Sequence, residues 1–291
     1  MIQNTMTEKE NTRKIVFIDI DGTLLMENGI IPESAQRACR QARENGHLLY
    51  LCTGRSKVEI YDSIRAIGFD GLIGAAGGYI EIGNEPFYHQ KVTPEDVRHL
   101  VDFFNAHEVD FILESNTALY GSRNLQPHLE RRIYGDLLND PAAQERKLQS
   151  PHPFMAALLY ADEDIYLNDV NKVCFLESRL PFEQIKQELE GRFIAIQSTI
   201  PLFGTNGGEL MIPGVHKAYG IAHLLDHLNI PREDSLAIGD GLNDLEMLEY
   251  CQVGIAMGNA QAQLKAVADE ITDNIEEDGL YKSFLKHGLI S

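Results

Sequence analysis

The sequence predicts an α/β fold in which a doubly wound parallel sheet is interrupted by an inserted α+β unit. Short runs of β-favouring apolar residues alternate with helical patterns near both ends of the chain, which is typical of a parallel sheet covered by helices. Between these regions the alternation stops, and helical runs mix with short strands. We therefore predict a core built from residues 1–90 and 209–291, with an inserted unit over residues 91–208.

The first half of the core is predicted from three strands and two helices. Four consecutive apolar residues, Ile15 to Ile18, indicate a strand that is buried on both faces. A helix from about Pro32 to Glu44 follows, since proline suits a first helical turn. Strands at 48–52 and 72–74 enclose a second helix that is expected to end near Ile67, and a hairpin is predicted over 79–89.

The inserted unit begins with a clear helix start. Thr93 is a suitable N-cap, and Pro94 suits the first helical position. The segment 121–152 is polar and gives only weak predictions. Further helical and strand segments are expected at 94–107, 181–190, 109–113, 155–160, 172–176 and 193–197. The core pattern then returns with helices at 216–229 and 245–250 and with strands at 235–238 and 253–257.

Composition excludes several classes of partner. The formal net charge is −19, from 25 basic and 44 acidic residues, which argues against nucleic acid and anionic membranes. A small anionic substrate is still compatible, because local cations can outweigh the global charge. No apolar run is long enough to span a bilayer, and residues 1–13 carry no signal-peptide core. The four cysteines form no C-x-x-C pair, which is typical of free thiols, so we predict a cytoplasmic protein.

Two carboxylates stand at the end of the first strand. Asp19 and Asp21 follow its apolar residues and precede Gly22-Thr23. In open parallel sheets, ligands bind just beyond the carboxyl ends of the strands. Two carboxylates at such a place need a cation or hydrogen bonds, and a hard cation such as Mg²⁺ prefers oxygen ligands. A strand that simply ends in a polar turn is the alternative.

Three further stretches lie at strand ends or helix starts. Thr53-Gly54 offers a hydroxyl and an open backbone N–H to a phosphate, although an ordinary N-cap and turn would look the same. Lys217 begins a helix, where a cation opposes the helix dipole; a solvated lysine is the alternative. The turn Gly239 to Asp244 contains Asp240 and ends in a second acid, which a purely structural turn does not need.

These stretches, taken in order, resemble the four motifs of the haloacid dehalogenase superfamily. The first motif is Asp19-Ile20-Asp21-Gly22-Thr23-Leu24, and the others are Thr53-Gly54-Arg55, Lys217 and Gly239 to Asp244. Near the C-terminus, Ala256 to Ala260 looks like the Cof-type phosphatases of this superfamily. The resemblance implies a Rossmann-like core, and it implies that the insertion is a cap of the C2B type.

The resemblance also implies the residues that carry the reaction. Asp19 would be the nucleophile that forms an aspartyl-phosphate, and Asp21 the general acid and base. Mg²⁺ would be held by Asp19, Asp240 and the backbone carbonyl of Asp21. The implied ligands of the phosphate are Thr53, Gly54, Lys217 and Asn243. Asp244 would support the site from behind these ligands. The implied substrate is a small phosphorylated metabolite, such as a sugar phosphate or a phosphorylated cofactor.

The chain departs from the superfamily pattern at a few positions. Ala76-Gly77-Gly78 replaces a common Asn-Gly-Ala, and His216 stands where a small residue is usual. Two other functions also remain open at this point: a phosphomutase of the phosphomannomutase type and a phosphosugar-binding regulator without turnover. Neither the substrate nor the oligomeric state follows from the sequence.

Overall fold

The computed structural model describes residues 13–150, 153–160, 165–198 and 201–291. Apart from Arg13, the N-terminal segment considered above lies outside these ranges. Across the described ranges, no helix combines the length and apolar character that a membrane crossing requires. Every cysteine of the chain is a free, buried thiol, as the spacing predicted.

The described residues form two sheets that are covered by helices. In chain order the strands are β1 (Ile15–Ile18), β2 (Leu48–Cys52), β3 (Gly71–Gly74), β4 (Tyr79–Ile82), β5 (Glu85–His89), β6 (Phe111–Ser115), β7 (Leu119–Gly121), β8 (Leu158–Tyr160), β9 (Val170–Phe175), β10 (Ile194–Gln197), β11 (Gly208–Met211), β12 (Ser235–Gly239), β13 (Val253–Ala256) and β14 (Glu270–Ile271). The helices are α1 (Glu33–Glu44), α2 (Asp62–Arg65), α3 (Pro94–Ala106), α4 (Leu125–Tyr134), α5 (Pro141–Gln149), α6 (Pro153–Ala157), α7 (Phe182–Glu188), α8 (Lys217–Leu228), α9 (Leu245–Tyr250), α10 (Ala262–Val267) and α11 (Gly279–Lys286).

The larger sheet contains eight strands in the order β14-β13-β12-β1-β2-β3-β4-β5. The strands from β14 to β3 are parallel, while β4 and β5 add an antiparallel hairpin at one edge. All four residues of β1 are buried, as their unbroken apolar run predicted. The predicted doubly wound α/β class is therefore confirmed, and β1 lies between β12 and β2, far from both edges.

The smaller sheet has the order β10-β11-β9-β6-β7-β8. Its pairs are antiparallel except for β7 with β8. Helices α3 and α7 pack on one face, where apolar residues such as Phe104 and Ile185 join Val173 and Leu210 in one cluster. The Thr93 hydroxyl caps α3 by accepting from the backbone N–H of Asp96 at 3.1 Å, as predicted.

Three local predictions require correction. The inserted unit was expected to end at residue 208, but β11 runs over Gly208–Met211 and pairs with both β10 and β9, so its sheet continues to residue 211. The predicted strand at 155–160 is a strand only at Leu158–Tyr160, because Pro153–Ala157 is helical. The predicted second helix of the core is a short 3-10 turn at Lys57–Glu59 followed by a four-residue α2.

A tight turn after β3 presses against the start of α8. Gly77 has a φ of +107°, and a Cβ there would overlap the backbone carbonyl of His216. His216 is the N-cap of α8, and its Nδ1 accepts from the backbone N–H of Tyr219 at 3.3 Å. His216, a departure from the superfamily pattern, thus contacts Gly77, the one residue of this turn that agrees with the common Asn-Gly-Ala, and the glycine lets the turn approach the first residue of α8, Lys217.

Gly77→Ala should destabilise the protein much more than Gly83→Ala. Both glycines have positive φ, which costs an L-residue about 1–2 kcal/mol. A Cβ at Gly83 meets nothing within 4 Å, whereas one at Gly77 meets the His216 backbone. We expect a loss of about 3 kcal/mol or more in the free energy of unfolding for Gly77→Ala and about 1 kcal/mol for Gly83→Ala. Urea unfolding followed by circular dichroism measures both; equal losses would contradict the contact.

Candidate functional site

The pairing of two strands brings the predicted carboxylates together. Ile18 is in register with Ile238 in the neighbouring parallel strands β1 and β12, and the next backbone N–H, that of Asp19, donates to the Ile238 carbonyl at 3.0 Å. Asp240 follows the last residue of β12, so it lies at the same carboxyl end of the parallel strands. Although Asp19 and Asp240 are distant in the sequence, they meet where the carboxyl ends of the two strands lie side by side.

Lys217 binds this group from the first turn of α8. Its ammonium is buried and donates to Asp19 Oδ1 at 2.5 Å and to Asp244 Oδ1. One carboxylate oxygen from each of Asp19, Asp240 and Asp244 lies within 4.8 Å of the others. The lysine that the sequence left open between solvent and site is therefore inside the site.

The charges of the site are unbalanced. Burial and the nearby Asp244 raise the pKa of Asp19 well above its usual value, although Lys217 opposes this change. Burial and Asp244 also raise the pKa of Asp240, to about 6. Burial disfavours the charged form of Lys217, but Asp19 and Asp244 outweigh it and raise the pKa of the ammonium. Three carboxylates facing one ammonium fit a divalent cation with oxygen ligands.

Asp244 is held by the turn in which it lies. Its Oδ2 accepts from the backbone N–H groups of Asp240 and Gly241, each at 2.9 Å, and its Oδ1 accepts from Lys217. Both carboxylate oxygens are thus engaged, so the side chain orients the lysine and the Asp240 backbone. This arrangement agrees with a supporting position for Asp244 behind the metal ligands.

Asp21 lies beside the carboxylate group and faces Arg55. The Arg55 guanidinium donates to both oxygens of Asp21, at 2.9 and 2.6 Å, and its Nη1 donates to the Glu59 carbonyl. The Asp21 side chain is 59% exposed. Arg55 also lies over the ring of Tyr61, 4.9 Å from its centroid. The described geometry of Arg55 is therefore an ion pair with Asp21.

Besides Lys217, the predicted phosphate-binding residues lie in two neighbouring turns. Thr53 is buried, and its hydroxyl oxygen accepts from the Arg55 backbone N–H at 3.2 Å. The Asn243 amide nitrogen is 3.7 Å from the position that a Cβ on Gly54 would occupy, so this amide faces the glycine backbone. The turns after β2 and β12 thereby bring a hydroxyl, the backbone N–H of a glycine and a side-chain amide to the carboxyl ends of the strands. Each of these groups can bind a phosphate oxygen.

Two polar contacts near Asp240 were missed by sequence reasoning. The Thr23 hydroxyl donates to Asp240 Oδ1 at 3.1 Å, and the Asn259 side chain donates to the Gly22 carbonyl at 2.8 Å. Gly22 has a φ of +84°, and a Cβ there would overlap the Asp240 carboxylate. The adjacency of Gly22-Thr23 to the two acids was the available signal for the first contact, whereas nothing in the sequence links Asn259 to Gly22.

Two histidines of α8 contact aromatic rings of β5. His223 stacks on Tyr88 with ring centroids 4.9 Å apart, and His227 lies 4.0 Å from Phe87. These contacts fasten α8 to the edge strand β5. Burial raises the pKa of Cys52 far above its usual value, which makes this thiol an inert apolar neighbour of Thr53.

Comparison with known proteins identifies the family. The model of a protein family described as "haloacid dehalogenase-like hydrolase" matches residues 16–284. The chain is 27% identical to the 5-amino-6-(5-phospho-D-ribitylamino)uracil phosphatase YcsE of Bacillus subtilis (strain 168), with 95% of this chain and 96% of that protein covered. It is also 27% identical to the HMP-PP phosphatase of Yersinia enterocolitica, with 96% of each chain covered.

A solved structure supports the same assignment. The HAD subclass IIB sugar phosphatase BT4131 superposes with a TM-score of 0.72 at 25% identity and covers 95% of this chain and 100% of its own. The chain therefore belongs to the haloacid dehalogenase-like hydrolases, as its motifs predicted. The prediction of an enzyme that hydrolyses phosphate esters is confirmed at the level of this family.

Asp240→Asn should separate metal binding from folding. Without metal, the variant removes one charge from a crowded acidic group, so its melting temperature in EDTA should equal or exceed that of the wild type. The wild type should gain about 2.7 kcal/mol of stability when free Mg²⁺ is 100-fold above its dissociation constant. We expect the variant to lose most of this gain.

Asp234→Asn is the matched control, because Asp234 pairs with Lys14 and lies outside the group of three carboxylates. It should keep the full gain with Mg²⁺. Thermal unfolding with and without Mg²⁺ provides the measurement. An Asp240→Asn protein that Mg²⁺ stabilises as strongly as the wild type would exclude Asp240 as a metal ligand.

Proposed function

We propose that this hydrolase is a Mg²⁺-dependent phosphatase that removes phosphate from small phosphorylated metabolites through an aspartyl-phosphate on Asp19. The observation that carries the proposal is the buried contact of Lys217 with Asp19 and Asp244 beside Asp240. A nucleophilic carboxylate that an ammonium contacts at the carboxyl end of a strand can receive an anionic phosphoryl group, because the cation offsets the repulsion between the two anions.

The proposed reaction has two displacements. In the first, an Asp19 oxygen forms a bond to phosphorus, the bond from phosphorus to the ester oxygen breaks, and Asp21 gives its proton to the leaving alcohol. In the second, Asp21 takes a proton from water, whose oxygen attacks phosphorus and releases inorganic phosphate and the Asp19 carboxylate. Bound Mg²⁺ would supply charge neutralisation and polarise the phosphoryl oxygens. Asp19, Asp240 and the Asp21 carbonyl would hold it.

The remaining site residues are proposed to bind the phosphoryl oxygens. Lys217 supplies positive charge, and Thr53, Gly54 and Asn243 supply neutral donors where negative charge develops. Asp244 keeps Lys217 and the turn at Asp240 in place through the hydrogen bonds described above. All of these residues are outside the inserted unit, so they contact only the group that every candidate substrate shares.

We further propose that the inserted unit, extended to residue 211, acts as a cap that selects the substrate. Discrimination between phosphate esters requires contacts with the leaving group, which the core residues do not provide. The named relatives support this division, because the phosphatase for a phosphoribityl-aminouracil and the HMP-PP phosphatase differ in substrate while both align along nearly the whole chain. Small phosphorylated metabolites are the proposed partners, and the cytoplasm is the proposed location.

Two alternatives from the sequence are distinguished by their products. A phosphomutase would convert one hexose phosphate into its isomer with little phosphate release. A regulator without turnover would bind the phosphosugar and release nothing. The named relatives are phosphatases, which favours hydrolysis. A phosphate-release screen over several dozen metabolites, with and without Mg²⁺, separates the three cases when isomer formation is followed in parallel.

Asp19→Asn should abolish turnover and leave the fold intact. The amide has nearly the same shape as the carboxylate, but it is a poor nucleophile. We expect kcat to fall by at least about 1,000-fold, as occurs when the nucleophile of another covalent enzyme is removed. Asp226→Asn, an exposed change on α8, is the control and should keep full activity. A folded Asp19→Asn protein with activity close to that of the control would refute the aspartyl-phosphate route.

A further inference from the structure

A lysine and three other polar residues lie on the face of the smaller sheet opposite α3 and α7, and α4 packs on part of this face. Side chains alternate along a strand, and Val173 and Leu210 point to the face that α3 and α7 cover. Lys172 and Cys174 on β9 therefore point to the other face, as do their cross-strand partners Glu114 and Glu209. We call these four residues the polar patch. Three of them are buried, and Glu209 is half-buried.

The polar patch is joined by direct contacts. The Lys172 ammonium donates to Glu209 at 2.9 Å and lies 3.7 Å from Glu114 Oε2. Glu114 accepts from the thiol of Cys174 at 2.9 Å and from the Ser56 hydroxyl at 3.2 Å. Among the described residues, Glu209 accepts the one hydrogen bond of the ammonium, although an ammonium has three donors. Lys172 thus keeps donors for another acceptor.

The polar patch adjoins the proposed catalytic site through one loop. Ser56 contacts Glu114, and its hydroxyl also accepts from the Asn171 side chain at 2.9 Å. The preceding residue, Arg55, binds Asp21, the proposed acid and base. A leaving group that extends from the phosphoryl site past Asp21 would therefore run toward the polar patch.

The charges of the polar patch nearly cancel. Burial, together with Glu59, raises the pKa of Glu114 to about 8, so this carboxyl is largely neutral at pH 7. Burial disfavours the charged form of Lys172, but Glu114 and Glu209 outweigh it and raise the pKa of the ammonium well above its usual value. One ammonium beside the Glu209 carboxylate leaves no net positive charge to attract a second anion.

A hydroxyl group matches this pair of neighbours. It can accept a hydrogen bond from Lys172 and donate one to Glu209 at the same time. A carboxylate or a second phosphate would accept from Lys172 but would be repelled by Glu209. Apolar surface lies next to the pair, because Ile196 is the cross-strand partner of Glu209 and is 50% exposed. The carbon skeleton of a polyol or sugar can pack against such a side chain.

We propose that Lys172 and Glu209 bind hydroxyl groups of the leaving group, and that the substrates are monophosphates of uncharged polyols or sugars. This inference rests on the proposed function, since it assigns the leaving-group site of the same reaction. The pair of Lys172 and Glu209 would disfavour leaving groups that carry a carboxylate or a second phosphate. Glu114 is a positioning residue, which links Lys172 to the loop that carries Arg55 and Ser56.

Sorbitol 6-phosphate and 6-phosphogluconate test the proposal, because they differ chiefly in a terminal hydroxymethyl group against a carboxylate. The wild type should favour sorbitol 6-phosphate by at least about tenfold in kcat/KM, the value of one hydrogen bond to a charged group. Glu209→Gln should reduce this preference. Lys172→Met should lower kcat/KM for sorbitol 6-phosphate about tenfold relative to phenyl phosphate, which has no aliphatic hydroxyl.

The matched control is Lys147→Met, which removes a surface lysine that pairs with Glu130 in the same inserted unit. It should leave unchanged the ratio of kcat/KM for sorbitol 6-phosphate to that for 6-phosphogluconate and the ratio to that for phenyl phosphate. Circular dichroism and melting temperatures identify a variant that fails to fold, and Glu209→Gln keeps the test available if Lys172→Met is unstable. Ratios that neither Lys172→Met nor Glu209→Gln changes would overturn the proposal and would show that the polar patch is a structural ion pair.

Failure of the proposed function has a different outcome. A wild type that releases phosphate from no ester, including the several dozen metabolites of the screen, refutes the phosphatase proposal but does not decide the role of the polar patch. Calorimetric binding of sorbitol 6-phosphate to the wild type and to both variants then decides it. Binding that Lys172→Met weakens about tenfold supports the leaving-group site, whereas equal binding by all proteins overturns it.

Discussion

The buried ammonium of Lys217 is the contact on which the site depends. It neutralises part of the charge of Asp19 and Asp244, two carboxylates that burial would otherwise make costly. Its position is set by α8, whose N-cap His216 packs against Gly77. The turn after β3, the start of α8 and the ends of β1 and β12 therefore form one unit, and a displacement of any one of them would leave an uncompensated charge.

A second connection runs from the proposed catalytic site to the smaller sheet. Arg55 binds Asp21, and the next residue, Ser56, hydrogen-bonds to Glu114 and Asn171. The loop that carries the proposed phosphate ligands Thr53 and Gly54 thus also contacts the inserted unit. Because Arg55 and Ser56 are adjacent, the same loop contacts both Asp21 and the smaller sheet. The proposed leaving-group site lies along the same path.

Prediction succeeded where a residue pattern has a single structural explanation. The apolar run Ile15 to Ile18 indicated a strand buried on both faces, and Thr93-Pro94 indicated a helix start; both are found. Prediction failed where the pattern was ambiguous. The apolar residues at 155–160 suit a short helix as well as a strand, and the structure has one followed by the other. The end of the insertion was placed at residue 208, although Gly208 is the first residue of β11 and pairs with β10 in the smaller sheet.

The sequence by itself determined the fold class, the family and the residue types of the site, because strand patterns and motif spacings are local properties of the chain. Only the tertiary structure decided which charges meet. Lys172, Glu114 and Glu209 are separated by long stretches of chain and carry no motif, yet strand pairing places them side by side. Arg55 reaches Asp21 for the same reason. The energy of a charge depends on its burial and its neighbours, and both are known only once the sheets are assembled.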